Sequence, residues 1–292
     1  MTVRLSGCTN LSDLWPAARS KTVAAGVKVS CIVSMVADGV KSVKIFPEQT
    51  SEIKRLGIGP WIRDRILLID LGFFKYAIFD KIDKYGGYFV SRLKNNANST
   101  IVKLNGKCRG NSISVEGKKL KDVLPHLKRG VLGAMVGVTF KRRKYKGKRT
   151  TVSKLFRVVA VLNKETEEYH VYITSIPVER LSAEDITSLY GARWRIEMVF
   201  KELKSYYHMD QIDSRNPDMT ESLIWVSILT LMCSRRILQL IRNANPEQAN
   251  RYTHLRWAKT SGENAHRLLK EVLESMGIRL DMLVLYGIYL NH

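Results

Sequence analysis

Arg65-Ile66-Leu67-Leu68-Ile69-Asp70-Leu71-Gly72 decides the fold. Four large apolar residues between two charges predict a short strand buried on both faces. Asp70 ends the strand, and Gly72 allows a tight exit. Phe74 to Tyr85 then reads as a helix that stops at Gly86-Gly87, and Tyr88 to Leu93 reads as another strand. This order predicts a mixed α/β sheet. Active groups in such sheets sit beyond the carboxyl ends of the strands. Asp70 is therefore a candidate reactive acid; the plainer reading is a turn acid or helix N-cap.

Upstream, Val27 to Val36 alternates and is rich in β-branched residues, which predicts a strand. Ala37-Asp38-Gly39 reads as a hairpin turn and Val40 to Phe46 as the return strand. Ser51 can cap a short helix to about Leu56. Downstream, Val131 to Phe140, Thr151 to Leu162 and Tyr169 to Ile176 read as strands, with a turn at Asn163-Lys164-Glu165-Thr166. Ser182 and Asp185 form a helix-start signal. Glu221 to Asn243 and Glu263 to Met276 read as helices, separated by Asn243-Ala244-Asn245-Pro246. The expected organisation is an N-terminal part of the core at 1–94, a basic β-rich insertion at 95–180, a key helix at 181–210 and a helical C-terminal region at 211–292.

Tyr190, Arg193, Glu197 and Lys204 lie at offsets 0, 3, 7 and 14 in a stretch that reads as helix from end to end. At 100° per residue they fall at about 0°, 300°, 340° and 320°, one polar stripe. Leu189, Ile196, Phe200 and Leu203 fall beside it and are expected to pack on a sheet; Arg195 and Glu202 are expected to face solvent. A carboxylate flanked by cations suits a metal-bound phosphodiester, with Glu197 on the cation and Arg193 and Lys204 on phosphate oxygens. The plain alternative is an i,i+4 ion pair stabilising the helix by a few tenths of a kcal/mol.

Lys and Arg number 48 against 27 Asp and Glu, a formal net charge of +21. That excess implies a polyanionic partner or a charged surface. From Lys94 to Lys154 there are 17 Lys and Arg against two acids, Glu116 and Asp122. The densest run is Lys141-Arg142-Arg143-Lys144-Tyr145-Lys146-Gly147-Lys148-Arg149, either a solvated hairpin tip or a contact with a DNA backbone. The four cysteines and six histidines show no metal or disulfide spacing, which suits free thiols in a reducing cytoplasm. The longest apolar run, Leu223 to Cys233, is too short to span a bilayer, and the N-terminus has no signal-peptide core. A cytoplasmic, DNA-associated protein with no membrane partner is expected.

The spacing Tyr190-x2-Arg193-x3-Glu197-x6-Lys204 resembles the signature of IS4-type DDE transposases. Leu67-Leu68-Ile69-Asp70-Leu71-Gly72-Phe73 is similar to the strand ending in that family's second catalytic aspartate. Tyr88-Phe89-Val90-Ser91-Arg92-Leu93-Lys94 is similar to the strand after it, with its basic end. The resemblance covers roughly 1–240. It implies a ribonuclease-H-like fold with a β-rich insertion before the glutamate helix, and prokaryotic DNA transposition. It further implies two Mg²⁺ ions held by two aspartates and a glutamate. By carry-over, Asp70 and Glu197 are metal-binding catalytic residues. Tyr190, Arg193, Lys204, Arg92 and Lys94 contact DNA, alongside Arg142, Arg143 and Lys144 of the basic run. The expected partners are transposon ends, target DNA and a second copy bound on DNA.

The resemblance departs at the N-terminus. Thr2-Val3-Arg4-Leu5 is similar to the text that follows the family's first aspartate, which places that carboxylate just before Met1. Asp13 lies in what reads as a loop and Asp38 at a hairpin tip, so neither is a good substitute. The family's N-terminal DNA-binding region is expected to be missing too. The expectation is weak metal binding and impaired activity, from a late start codon or a decayed element. The alternative is a non-catalytic DNA-binding remnant that interferes with a full-length transposase.

Overall fold

The computed structural model describes residues 1–5, 9–18, 25–105, 115–127, 130–142, 147, 150–212, 214–275 and 277. Nine strands lie among them: β1 (Thr2–Leu5), β2 (Ala25–Ser34), β3 (Gly39–Pro47), β4 (Ile66–Ile69), β5 (Tyr88–Arg92), β6 (Thr100–Leu104), β7 (Val131–Lys141), β8 (Thr151–Leu162) and β9 (Tyr169–Thr174). The α-helices are α1 (Glu52–Arg55), α2 (Tyr76–Lys84), α3 (Leu120–Val123), α4 (Ala183–Gly191), α5 (Trp194–Ser205), α6 (Pro217–Ala244), α7 (His254–Glu263) and α8 (Ala265–Ser275). Two compact units form, one from Ser51–Trp194 and one from Met1–Thr50 with Arg195–His292.

The Ser51–Trp194 unit is built on a six-stranded mixed sheet in the order β4-β5-β9-β8-β7-β6. β4 and β5 run parallel, with Ile66 opposite Tyr88 and Ile69 opposite Ser91. α2 makes the crossover between them, and Gly86 (φ 72°) ends it in the left-handed region. Phe79 and Ile82 of α2 are fully buried, and the Phe79 ring stacks on Phe89 of β5 at 4.2 Å between centroids. The other pairings in this sheet are antiparallel. β8 lies between β7 and β9, so Phe156 to Ala160 are buried in succession.

That buried run includes a cation. Arg157 is 4% exposed, and its Nη1 donates to the carbonyls of Ile176, Pro177 and Leu181. It holds the chain between β9 and α4. α4 then starts with a full capping box, Ser182 accepting from the Asp185 amide and Asp185 from the Ser182 amide. Another engaged acid lies on α2. Asp80 receives Lys84, Arg142 and Lys154 at 3.0–3.3 Å, tying the outer part of the β7–β8 pair to that helix.

In the other unit β1, β2 and β3 form an antiparallel sheet, with a bulge at Ile32/Val33. Asp38 occupies the left-handed region at the hairpin turn (φ 45°). Val199 and Leu203 of α5 and Ile224, Ile228 and Leu231 of α6 join Val3, Leu5, Val27 and Val29 in one core. Ile196 and Phe200 pack against the same core, as the sequence predicts for that face of the helix.

Four expectations need correction. β4 is an edge strand, with Ile66 44% exposed, and is not buried on both faces. The helix through Tyr190 and Lys204 is interrupted: Ala192 and Arg193 bond back to Leu189 and Tyr190, three residues behind, before α5 begins at Trp194. Glu202 does not face solvent. It is 1% exposed and receives Nε and Nη2 of Arg235 at 3.2 and 2.5 Å. Glu263 ends α7, which the sequence reading missed, and α8 starts after it. β6 and α3 were missed as well. The apolar run Leu223 to Cys233 lies inside the 28-residue α6, which is long and apolar enough to cross a membrane by length and composition alone.

Arg235 also faces Asp38 at 3.5 Å, and Asp38 meets His254 at 2.5 Å and Arg242 at 3.6 Å. The His254 hydrogen bond, helped by the charges of Arg235 and Arg195, holds the Asp38 carboxyl below its ordinary value despite partial burial. Glu202→Ala would strand a buried guanidinium. Urea unfolding should show a loss of about 3–5 kcal/mol, and a loss below 1 kcal/mol would contradict the pairing. Asp38 has a depressed folded pKa, so its stabilisation is complete above the unfolded value and is lost as pH falls through the folded one. Asp38→Asn, which keeps a residue tolerant of positive φ, should flatten the fall in stability below about pH 4. An unchanged slope would rule this out.

Candidate functional site

Within the Ser51–Trp194 unit, the ends of β4 and β5 meet α4. Asp70 follows the last residue of β4 and begins a short 3-10 turn, Leu71–Phe73. Its Oδ2 accepts from the Gly72 amide at 3.2 Å, while its side chain stays 51% exposed. The N-cap reading and the reactive-acid reading are therefore compatible: one oxygen closes the turn, and the carboxylate still faces water. Nη1 of Arg193 lies 3.3 Å from Oδ1. The same guanidinium sits over the Tyr190 ring, 5.7 Å from its centroid.

Tyr190 is 7% exposed. Its hydroxyl donates to the carbonyl of Ile69 at 3.4 Å. One phenol thus ties the last residue of β4 to α4. Burial pushes that phenol above its ordinary pKa; nearby Arg193 opposes the shift and Asp70 adds to it. Tyr172, at 5.2 Å between ring centroids, packs beside it.

Arg92 is exposed at the end of β5, and Lys94 lies two residues beyond it with its ammonium 5.5 Å from the Phe74 ring centroid. Both line a cavity of about 300 Å³ together with Leu93, Asn95, Lys121 and Tyr169. Its rim carries cations and its floor is apolar. The sequence reading did not include Lys121 or Tyr169, because α3 and the start of β9 reach this place only through the sheet order.

The remaining candidates are placed differently. Glu197 is half-buried and Lys204 exposed on α5, where a spacing of seven keeps them on one helical face. Arg195 is exposed and donates to the Met35 carbonyl at 3.1 Å. Arg142 is paired with Asp80 at 3.0 Å. Arg143 and Lys144 lie outside the described residues.

The donor set suits a hard cation. Asp70 offers carboxylate oxygens at a partly hydrated strand end. Magnesium keeps several waters and is commonly held by one or two carboxylates plus phosphate oxygens. Among the described residues no three His, Cys, Asp or Glu side chains gather into a ready-made metal cage. A site of this kind would take its further oxygens from water and substrate.

Residues 12–233, which hold this strand-end cluster and the Tyr/Arg/Glu/Lys spacing, match the family described as Transposase DDE domain. The chain belongs to this family. The transposase for insertion sequence element IS231F of Bacillus thuringiensis subsp. israelensis is 26% identical over 203 residues, 59% of this chain and 41% of the relative. The transposase for IS231B of Bacillus thuringiensis subsp. berliner is 21% identical over 281 residues, 83% of this chain and 57% of the relative. The transposase for IS421 of Escherichia coli is 31% identical over 93 residues, 32% of this chain and 25% of the relative. The chain therefore spans less than three fifths of each of these relatives. The IS231 matches agree with the IS4-type signature.

Tyr190→Phe keeps the ring and removes its bond to the end of β4. Stability should fall by about 1 kcal/mol, and amide exchange along β4 should speed up. Unchanged exchange there would contradict the clamp.

Proposed function

We propose that these residues form the catalytic domain of a DNA transposase, which cuts transposon ends and joins them to target DNA in a divalent-metal-dependent reaction. The observation that carries this reading is the half-exposed Asp70 carboxylate at a strand end, 3.3 Å from Arg193 and inside the family match. The fold proposed is ribonuclease-H-like, with 95–180 as a basic β-rich insertion and 211–292 as a helical C-terminal region. The core is assigned to 1–94 with 181–210. The protein would work in the cytoplasm on chromosomal and element DNA, with a second copy on the DNA.

Asp70 and Glu197 are assigned as metal-binding carboxylates. Bound there, Mg²⁺ ions supply an activated attacking hydroxyl and neutralise charge on the leaving oxygen. Asp70 offers an oxygen on a fixed strand end, held by the Gly72 amide, so little reorganisation is needed on binding. Arg193, beside Asp70, would hold a phosphate oxygen of the substrate. Arg92, Lys94 and Lys204 contribute further phosphate contacts. The part assigned to Tyr190 is indirect, because its hydroxyl is engaged by the Ile69 carbonyl at the end of β4. Arg142 likewise acts through Asp80, leaving Arg143 and Lys144 as the backbone contacts of the basic run.

Magnesium-dependent nicking of a transposon-end duplex tests the reading. Asp70→Ala and Glu197→Ala should each lower the rate by about 10³-fold. Activity that survives either change would refute the metal assignment. Arg193→Ala should weaken end-DNA binding by roughly tenfold, with Arg195→Ala near wild type. Equal effects would remove Arg193 from the proposed contact.

A further inference from the structure

α5 carries Glu197 on one side and half of a buried ion pair on the other. Counted from Glu197 at 100° per residue, Glu202 lies at about 140°, Val199 at about 200° and Leu203 at about 240°. Those three side chains are the buried ones of α5, and Glu197 is half-buried on the opposite side. The turn of α5 about its own axis therefore decides where the Glu197 carboxylate points. A carboxylate about 5–6 Å from the axis moves by roughly 2 Å when the helix turns by about 20°. That shift is as long as a magnesium–oxygen bond.

Val199 and Leu203 do not prevent such a turn by themselves, since apolar contact has no preferred direction. Glu202 does. Its two oxygens receive Nε and Nη2 of Arg235 at 3.2 and 2.5 Å, a side-on fork whose partners must share one plane. The third guanidinium nitrogen, Nη1, faces Asp38 at 3.5 Å. Asp38 is itself held by His254 at 2.5 Å and Arg242 at 3.6 Å. Arg235 thus cannot follow a turning Glu202 without leaving the β2–β3 turn. The pair is sealed from water, with 1% of the Glu202 side chain and 6% of the Arg235 side chain exposed. Desolvation offsets much of the attraction in such a pair, and apolar side chains of similar volume often stabilise as well or better. Stability alone gives little reason for an ion pair here; direction does.

We propose that Glu202 and Arg235 are positioning residues, whose fork fixes the rotation of α5 and so aims the Glu197 carboxylate at a divalent cation. This rests on the reading of Glu197 as a metal ligand, which Glu197→Ala tests separately. Mn²⁺ binding to the full chain, followed by electron paramagnetic resonance, should be lost in Glu197→Ala. Replacing both partners, Glu202→Met with Arg235→Met, should leave the thermal midpoint unchanged or higher. The same double variant should weaken Mn²⁺ binding at least about tenfold, as loss of a group that orients a ligand does. Glu202→Asp keeps both charges and withdraws the carboxylate by one methylene. It should weaken Mn²⁺ binding likewise, and it decides the matter if the methionine pair fails to fold. Wild-type Mn²⁺ affinity in Glu202→Asp, or in a folded methionine pair, would overturn the positioning role while leaving Glu197 as a ligand. Unchanged Mn²⁺ binding in Glu197→Ala would overturn the metal reading and this proposal with it.

Discussion

One phenolic hydroxyl holds the strand end on which the candidate acid stands. β4 is short, parallel and at the edge of its sheet, so its backbone is paired on one side only. Strands of this kind fray unless something fixes their ends. Tyr190 does so for β4 by reaching from α4 to the carbonyl of Ile69, the last residue of that strand. Asp70 follows directly on that anchored residue. Behind it stands Arg157, whose buried guanidinium gathers three carbonyls from the chain entering α4. The capping box at Ser182 fixes where that helix starts. Buried polar groups thus place the exposed ones.

The positive charge of the chain is not all available to a partner. Arg142 and Lys154 belong to the basic region, yet both are drawn onto Asp80, and Lys154 also reaches Asp83 at 2.5 Å. Arg235 is buried against Glu202, and Arg242 shares Asp38 with His254. Arg92, Lys204 and Lys121 keep exposed side chains. A count of Lys and Arg gives the size of the positive excess; the ion pairs show which of those cations are already engaged within the chain.

Local signals carried well from sequence to structure. The Ser182/Asp185 start, the turn at Asp38, the stop at Gly86 and the strand Thr151–Leu162 each depend on neighbouring residues, and each formed where it was read. What failed depends on partners far along the chain. Glu202 reads as a solvent residue because its partner, Arg235, lies 33 positions away. The edge position of β4 is a property of strand order, which four apolar residues do not encode. The break at Ala192 and Arg193 had one local hint, Gly191, a poor residue for a helix interior. A 100° count carried through that break placed Tyr190 on a polar ridge, whereas its ring is in the core.

The clamp at Asp80 has a mechanical side. β7 and β8 run 11 and 12 residues; beyond Gly137 and Arg157 they leave their β6 and β9 neighbours and continue as a two-stranded arm of about 15 Å. A beam fixed only at its root swings further the longer it is, with deflection rising steeply in free length. Arg142 and Lys154 fasten this one near its far end to a helix of the same sheet. The arm up to Arg142 is in effect a braced strut.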